Sequence, residues 1–185
     1  IPKSVEKICS GVFNGCQYLR EIDVDPANPV YDSRENCNAV IETATGRLLF
    51  GSRNSIIPSS VVEISDHAFS RCEYLWEITI PSSVERIGNK AFNYCKGLNG
   101  IKIPDSVKEI GSYAFNNCSS IKRIRIPDSV KTIGEGAFYN CKNLNDIYIS
   151  DPNLLQNALN DPSVTIISGF KHTPKTKTAL ITAIR

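Results

Sequence analysis

The sequence predicts an α/β solenoid, with a parallel β-sheet on the concave side and short helical or 3₁₀ segments on the other side. One observation is a repeated phrase, Ile-Pro-x-Ser-Val-x-x-Ile, which starts five times, and the last four starts are 23 residues apart. The other is that the apolar period changes from two to three or four within each copy. The phrase starts at Ile1, Ile57, Ile80, Ile103 and Ile126. A unit this short cannot bury its apolar face alone, so the copies must stack on one another.

Each copy is predicted to contain one strand, one turn and one short helical segment. The run Leu98-x-x-Ile101-x-Ile103 ends in alternation, as a half-buried strand does. Pro104 then ends the strand, because proline has no N–H to give to a ladder. From Val107 onward the apolar residues recur every three or four positions, which is typical of a turn or short helix facing inward. Gly111 is expected to supply the tight turn between the two parts.

Stacking also accounts for the aromatic and sulfur residues that recur at fixed places. We expect each of them to lie above its counterpart in a continuous core. The phenylalanine positions are Phe13, Phe69, Phe92, Phe115 and Phe138, and the cysteine positions are Cys16, Cys72, Cys95, Cys118 and Cys141. Cys9 and Cys37 fall outside this pattern, and an odd total of seven cysteines leaves at least one unpaired.

The chain is predicted to form one domain over residues 1–185. The repeats are 1–23, 57–79, 80–102, 103–125 and 126–148. Residues 24–56 form an insertion that contains a β-hairpin, with strands at 39–43 and 48–51 around a turn at Gly46. We expect this hairpin to project from the solenoid or to cap one side of it. Residues 149–185 are predicted to be a degenerate repeat acting as a cap, followed by a tail that is either a linker or an added strand.

Composition excludes several classes of function. The chain is 41% hydrophobic and 22% charged, as globular proteins are, and its formal net charge is only +2. This balance does not indicate a nucleic-acid partner. No stretch reaches the roughly 18 apolar residues of a membrane-spanning segment.

Neither a cofactor, a metal nor a catalytic set is predicted. The cysteines lack the paired spacing of a zinc site, and buried cysteines behave as small hydrophobes. The acids of the insertion region lack the spacing of a calcium loop. The two histidines, His67 and His172, have no nucleophile and orienting group near them in the pattern.

The positions that differ between copies lie on the predicted strands. Side chains alternate across a strand, so the x positions of Leu-x-x-Ile-x-Ile point away from the core. We call these positions the variable face. Its rows are Arg20, Trp76, Asn99, Lys122 and Asn145; Glu21, Glu77, Gly100, Arg123 and Asp146; and Asp23, Thr79, Lys102, Arg125 and Tyr148.

Two features of the variable face favour a binding surface. Four basic residues lie on neighbouring strands, and the only tryptophan of the chain lies on the same exposed side. Exposed Trp, Tyr and Arg are typical of binding hot spots, although scattered exposed aromatic residues are also common on ordinary surfaces. The predicted partner-binding residues are Trp76, Lys102, Lys122, Arg123, Arg125 and Tyr148.

The repeat unit I-P-x-S-V-x-x-I-G-x-x-A-F-x-x-C-x-x-L-x-x-I-x resembles the BspA-like leucine-rich repeat family over residues 1–23 and 57–149. This resemblance implies a curved solenoid and a non-enzymatic bacterial protein, on the cell surface or secreted. It also implies adhesion to a protein partner, including host extracellular proteins, through the variable concave face. The alternative is a glycan-binding surface module, in which Trp76 and Tyr148 would stack on sugar rings.

Overall fold

The fold was analysed in a computed structural model. It describes residues 1–9, 11–16, 18–156 and 158–159, and the backbone of two further strands. Short 3₁₀ helices lie at Arg34–Asn36 and Pro152–Leu155. The strands are β1 (Tyr31–Asp32), β2 (Ala39–Glu42), β3 (Arg47–Gly51), β4 (Glu63–Ile64), β5 (Arg86–Ile87), β6 (Glu109–Ile110), β7 (Arg123–Arg125), β8 (Thr132–Ile133), β9 (Asp146–Ile149), β10 (Thr165–Thr173) and β11 (Thr176–Ile184).

The strands form two sheets, and the predicted parallel-strand solenoid is confirmed. One sheet has the order β1-β2-β3-β4-β5-β6-β8, and its strands from β3 onward are parallel. The other has the order β10-β11-β9-β7, in which β7 and β9 are parallel. Strands β7 and β9 lie in the predicted Leu-x-x-Ile-x-Ile segments. The corresponding segments of the second and third repeats, 75–80 and 98–103, are not strands, because they make too few backbone hydrogen bonds with each other. Strands β4, β5, β6 and β8 lie in the Val-x-x-Ile segments, where the sequence predicted a turn or helix.

The Ala-Phe-x-x-Cys segments form turns rather than short helices in the described repeats. Alternate backbone N–H groups there donate to the next repeat instead of to their own chain segment: Phe69 N–H to Ala91 O at 2.7 Å, and Phe92 N–H to Ala114 O at 2.8 Å. Helical bonds would consume the same donors. Left-handed residues such as Tyr94 (φ 59°) and Asn117 (φ 59°) turn these donors outward along the stack.

The phenylalanine ladder is present from the second repeat onward. Phe69, Phe92 and Phe115 are fully buried, and successive rings lie 5.2 and 5.3 Å apart with their planes within 3° of parallel. Phe138 continues the stack at 5.6 Å. Gly51 lies at the N-terminal end of this stack. A larger residue would not fit there, because a Cβ on residue 51 would lie 2.0 Å from the Phe69 ring.

The first repeat departs from the predicted ladders. Phe13 is only partly buried and packs edge-on against Phe50 of the insertion, with ring centroids 5.1 Å apart. Cys16 is exposed, so it does not continue the cysteine ladder. The reason is that the insertion separates the first repeat from the second. The first repeat therefore packs on a separate small core that includes Val24, Tyr31, Val40 and Phe50.

The inserted hairpin is confirmed, and of the two expected arrangements it caps one end of the solenoid as part of the sheet. β2 and β3 are antiparallel, and β3 then pairs in parallel with β4, so the hairpin closes the N-terminal end of the ladder. Side chains of the insertion also hold the first repeat in place. Asn28 donates to the carbonyls of Pro2 and Val5 at 2.9 and 3.0 Å. Ile8 N–H donates to the Tyr31 hydroxyl at 3.0 Å.

The repeated cysteines act as hydrogen-bond donors between repeats. Cys95, Cys118 and Cys141 each donate the thiol to the carbonyl of the phenylalanine 26 residues earlier, at 3.1, 3.0 and 3.0 Å. Cys72 donates in the same way to Gly51 O at 3.6 Å. Burial raises the pKa of Cys72 and of Cys141 to about 12. It raises the pKa values of Cys95 and Cys118 well above the ordinary thiol value.

Thiol labelling is expected to distinguish two classes of cysteine. At pH 8, Cys9 and Cys16 of the native protein should react rapidly with a soluble disulfide reagent, since both are exposed. The five buried thiols should react only after unfolding, because their raised pKa values keep them protonated and burial excludes the reagent. Counting released thiolate with and without denaturant measures this. The double variant Cys9→Ser, Cys16→Ser should lose the rapid phase, and rapid labelling of a third native thiol would contradict the assignment.

The C-terminal segment adds two strands, as one of the two predicted alternatives for the tail proposed. β11 is antiparallel to β9, with Leu180 opposite Tyr148, and β10 is antiparallel to β11. Ahead of them, Asp151 caps the 3₁₀ helix by accepting from Asn153 N–H at 3.0 Å. Leu155 and Ala158 are buried beneath the last repeat, which supports the predicted cap.

Candidate partner-binding face

The variable face has the alternation that the sequence predicts. In the second repeat Leu75, Ile78 and Ile80 are buried, whereas Trp76 and Thr79 are exposed. Trp76 is 70% exposed, the largest exposed fraction among the large hydrophobic side chains of the described residues. Lys102, Lys122, Arg123 and Arg125 are also exposed, and Tyr148 is half-buried.

A groove opens on this face between the second and third repeats. It has a volume of about 670 Å³, and its lining includes Trp76, Glu77, Asn99 and Lys102. Gly100 leaves space in the groove, because no atom lies within 4 Å of the position of a Cβ on this residue. Two of the predicted site residues, Trp76 and Lys102, therefore line one concave feature from neighbouring repeats.

The remaining predicted residues lie on the next two strands. Arg125 of β7 is directly opposite Tyr148 of β9, and Arg123 is opposite Asp146. Arg125 also lies 3.5 Å from Asp105, but both side chains are largely exposed, so this pair is weak. The basic cluster is thus bordered by acids on both sides, and not only on the side of the N-terminal repeats.

Polar side chains pair between neighbouring repeats at several places outside the variable face. These pairs include Lys96 with Glu73 at 3.1 Å, Lys108 with Glu85 at 2.7 Å, and Asn116 with Asn93 at 3.0 Å. On the β3-to-β6 ladder Arg86 bridges Glu63 and Glu109 at 2.9 and 3.3 Å. On the variable face of the described chain, the Arg125–Asp105 contact is the one side-chain polar pair.

Sequence reasoning missed one exposed residue of this face. Ile56 is 67% exposed between buried Ser55 and buried Ile57, so it occupies the position equivalent to Thr79 on the strand before it. The signal was present in the sequence. Ser55-Ile56-Ile57-Pro58 has the same buried-exposed-buried pattern before proline as Ile78-Thr79-Ile80-Pro81.

Among the described residues, no group of three or more His, Cys, Asp or Glu side chains is arranged to hold a metal ion. Asp32, one of the acids of the insertion, accepts from Arg34 Nε at 2.7 Å and from the Thr43 hydroxyl at 2.8 Å. Within the same residues, no helix is both long and apolar enough to span a bilayer.

Comparison with known proteins identifies what the chain resembles. A model of the BspA type leucine-rich repeat region matches residues 1–37 and 51–161 in six copies. A leucine-rich repeat protein from Eubacterium ventriosum is 26% identical over 80% of this chain and 47% of its own, with a TM-score of 0.65. A leucine-rich cell surface protein from Faecalibacterium prausnitzii is 27% identical over 82% of this chain and 48% of its own, with a TM-score of 0.57.

The pneumococcal vaccine antigen PcpA shares the fold, with a TM-score of 0.70 and 24% identity over 80% of this chain and 37% of its own. The present chain thus spans less than half the length of each of these three proteins. No curated protein sequence matches it.

Proposed function

Because the chain belongs to the BspA-type leucine-rich repeat family, we propose that it is a non-enzymatic interaction module of a bacterial cell-surface protein. It binds a protein partner through the variable face. The similar protein of Faecalibacterium prausnitzii is described as a cell surface protein, which supports the location. A repeat scaffold recognises partners with an extended rigid surface and requires no reactive group to do so.

The observation that carries this proposal is the unpaired state of the variable face. Lys102, Lys122 and Arg123 make no side-chain hydrogen bond or ion pair within the described chain, whereas Lys96, Lys108 and Arg86 on other faces all do. Groups that are free in the monomer can pair with a partner without first losing an internal contact. Trp76 adds a large exposed aromatic surface of the kind that dominates binding energy.

The binding test uses charge reversal on the face and off it. The double variant Lys102→Glu, Arg125→Glu should retain less than about a tenth of the protein captured from a host extracellular extract at low salt, since like charges now oppose an acidic partner. The matched control is Lys131→Glu, Lys142→Glu, which also changes the formal net charge from +2 to −2, because each reversal subtracts two. Both control lysines are exposed and lie outside the variable face.

Quantitative mass spectrometry of the captured proteins reads the result. The proposal requires proteins that are retained by the wild-type chain and by the control but lost by the face variant. If capture is unchanged in the face variant, binding through this surface is excluded.

The second candidate is a glycan-binding module, and the exposure of Trp76 beside an open groove favours it. A flat indole face can stack on the apolar face of a sugar ring. A glycan array separates the two candidates. If the wild-type chain binds a defined glycan and Trp76→Ala does not, the partner is a glycan and not a protein.

A further inference from the structure

We propose that the groove between the second and third repeats binds an extended acidic peptide segment that also carries a large apolar side chain. This inference rests on the proposed function and names the chemistry of the partner. The apolar side chain packs on Trp76, and the peptide's carboxylates pair with the basic cluster of Lys102, Lys122, Arg123 and Arg125.

The backbone of the groove favours a peptide as the occupant. Between residues 76–80 and 99–103 one backbone hydrogen bond is made, from Asn99 N–H to Trp76 O at 3.2 Å. By contrast, β7 and β9 pair over three residues in register. Ile78 and Ile101 bury their side chains while also lining the groove, so their peptide groups face it. A peptide that crosses these two segments offers N–H and C=O groups of its own to the backbone groups that the segments do not pair with each other.

An apolar anchor is available at the N-terminal side of the groove. Trp76 and Ile56 are 70% and 67% exposed, and they lie on neighbouring turns of the solenoid. Two large apolar side chains left in water on one face gain free energy when a partner covers them, at about 25 cal/mol per Å² of apolar surface. Trp76 takes part in no ring contact within the described chain, where the closely spaced aromatic pairs are those of Phe and Tyr.

The charge of the face sets the sign and the direction of the occupant. Lys102 lines the groove. Arg123 and Arg125 lie on β7 in the following repeat, and Lys122 directly precedes β7. Glu77 follows Trp76 in the chain, so it repels an acid placed next to the anchor. The acids of the bound peptide therefore lie over the repeats that follow Trp76 in the solenoid, and not over the repeats that precede it.

The spacing of the strands gives the spacing of the peptide motif. Neighbouring repeats are about 4.8 Å apart, so Lys122, which is in the row of Trp76 two repeats further on, lies roughly 10 Å beyond it. Lys102 is one repeat further on and three residues along, and therefore also lies roughly 11 Å from Trp76. An extended peptide advances about 3.3 Å per residue. The acids are thus expected about three residues from the apolar side chain.

Trp76 supplies the experiment, because it is the only tryptophan in the chain and its emission reports on the groove alone. The probes are 12-residue synthetic peptides without tryptophan, each with one leucine and two glutamates at the expected spacing. One control peptide carries lysines for the glutamates, and another places the glutamates eight residues from the leucine. Only the matched peptide should shift Trp76 emission to shorter wavelength at low salt, and its affinity should fall at least tenfold in 300 mM salt.

A groove-filling variant tests the location of binding. Gly100→Ile should fold normally, since nothing lies within 4 Å of the new Cβ, and should weaken the peptide at least tenfold. The matched control Lys142→Ile adds the same side chain to an exposed site outside the variable face and should bind as the wild type does. Thermal unfolding of both variants separates a blocked groove from an unfolded chain.

Three outcomes overturn the inference: equal response to the basic or mis-spaced peptide, unchanged binding by Gly100→Ile, or a response to acidic oligosaccharides without a response to any peptide. If protein capture depends on Lys102 and Arg125 but the matched peptide does not bind, this inference fails and the proposed function stands. If neither is observed, both fail.

Discussion

Replacing Gly111 by alanine is expected to lower the free energy of unfolding by about 3 kcal/mol, the upper end of the cost of overpacking. A Cβ on Gly111 would lie 2.5 Å from Asn89 N and 2.6 Å from Gly88 C of the preceding repeat. The atoms struck are backbone, which cannot rotate away as a side chain can. Separating the repeats would weaken the Gly111 N–H bond to Ile87 O and the Ser112 N–H bond to Asn89 Oδ1, both 2.8 Å long.

Urea denaturation followed by circular dichroism measures this effect, and Gly100→Ala is the matched control. Gly100 is a glycine of the preceding repeat, and it has open space where a Cβ would be. Alanine there should be neutral or stabilising by about 0.5 kcal/mol, because it restricts the unfolded chain without a clash. Equal stabilities of the two variants would show that close approach of the repeats is not what requires glycine at position 111.

Gly111 also shows what a repeat pattern can and cannot predict. The 23-residue period predicts that glycine is needed at this position, and the structure confirms a structural need. The predicted turn does begin at Gly111, whose carbonyl accepts from Ala114 N–H at 3.3 Å. However, the φ of Gly111 is not in the left-handed region, so the turn is not what requires glycine. The left-handed residues are instead those at variable positions such as Lys90 and Tyr113. Contact with the preceding repeat is non-local, so a local reading of the letters does not reveal it.

The candidate site also has features that the sequence of one repeat predicts and features that depend on contacts between repeats. Alternation along each strand predicts that Trp76, Lys102 and Arg125 are exposed, because this depends only on the order of residues within one repeat. The groove could not be predicted, because it depends on how two neighbouring strands are spaced. The departure of Phe13 and Cys16 from the two predicted ladders could not be predicted either. It follows from the position of β3 between the first repeat and the second, a pairing that joins residues of different segments.

Replacing Phe115 by alanine is expected to cost about 3–5 kcal/mol of unfolding free energy, as for large buried aromatic residues. The ring is fully buried and stacks on Phe92 at 5.3 Å and on Phe138 at 5.6 Å, so its removal leaves a cavity with a ring on each side. The repeats are held mainly by contacts with their neighbours, so a cavity here weakens the junctions on both sides of the fourth repeat. Urea denaturation and amide hydrogen exchange measure the loss and its location.

Two further variants separate stacking from burial and the ladder from the terminal core. Phe115→Leu keeps most of the buried apolar volume, so it should lower the free energy of unfolding clearly less than Phe115→Ala does. Its remaining difference from the wild type includes the lost ring stacking, about 0.5–1.5 kcal/mol per pair. Phe13→Ala should also cost less, because Phe13 is partly exposed and contacts one ring, Phe50, edge-on. If Phe13→Ala were as costly as Phe115→Ala, the first repeat would be as firmly integrated as the fourth. The division into two cores by β3 would then have no energetic consequence.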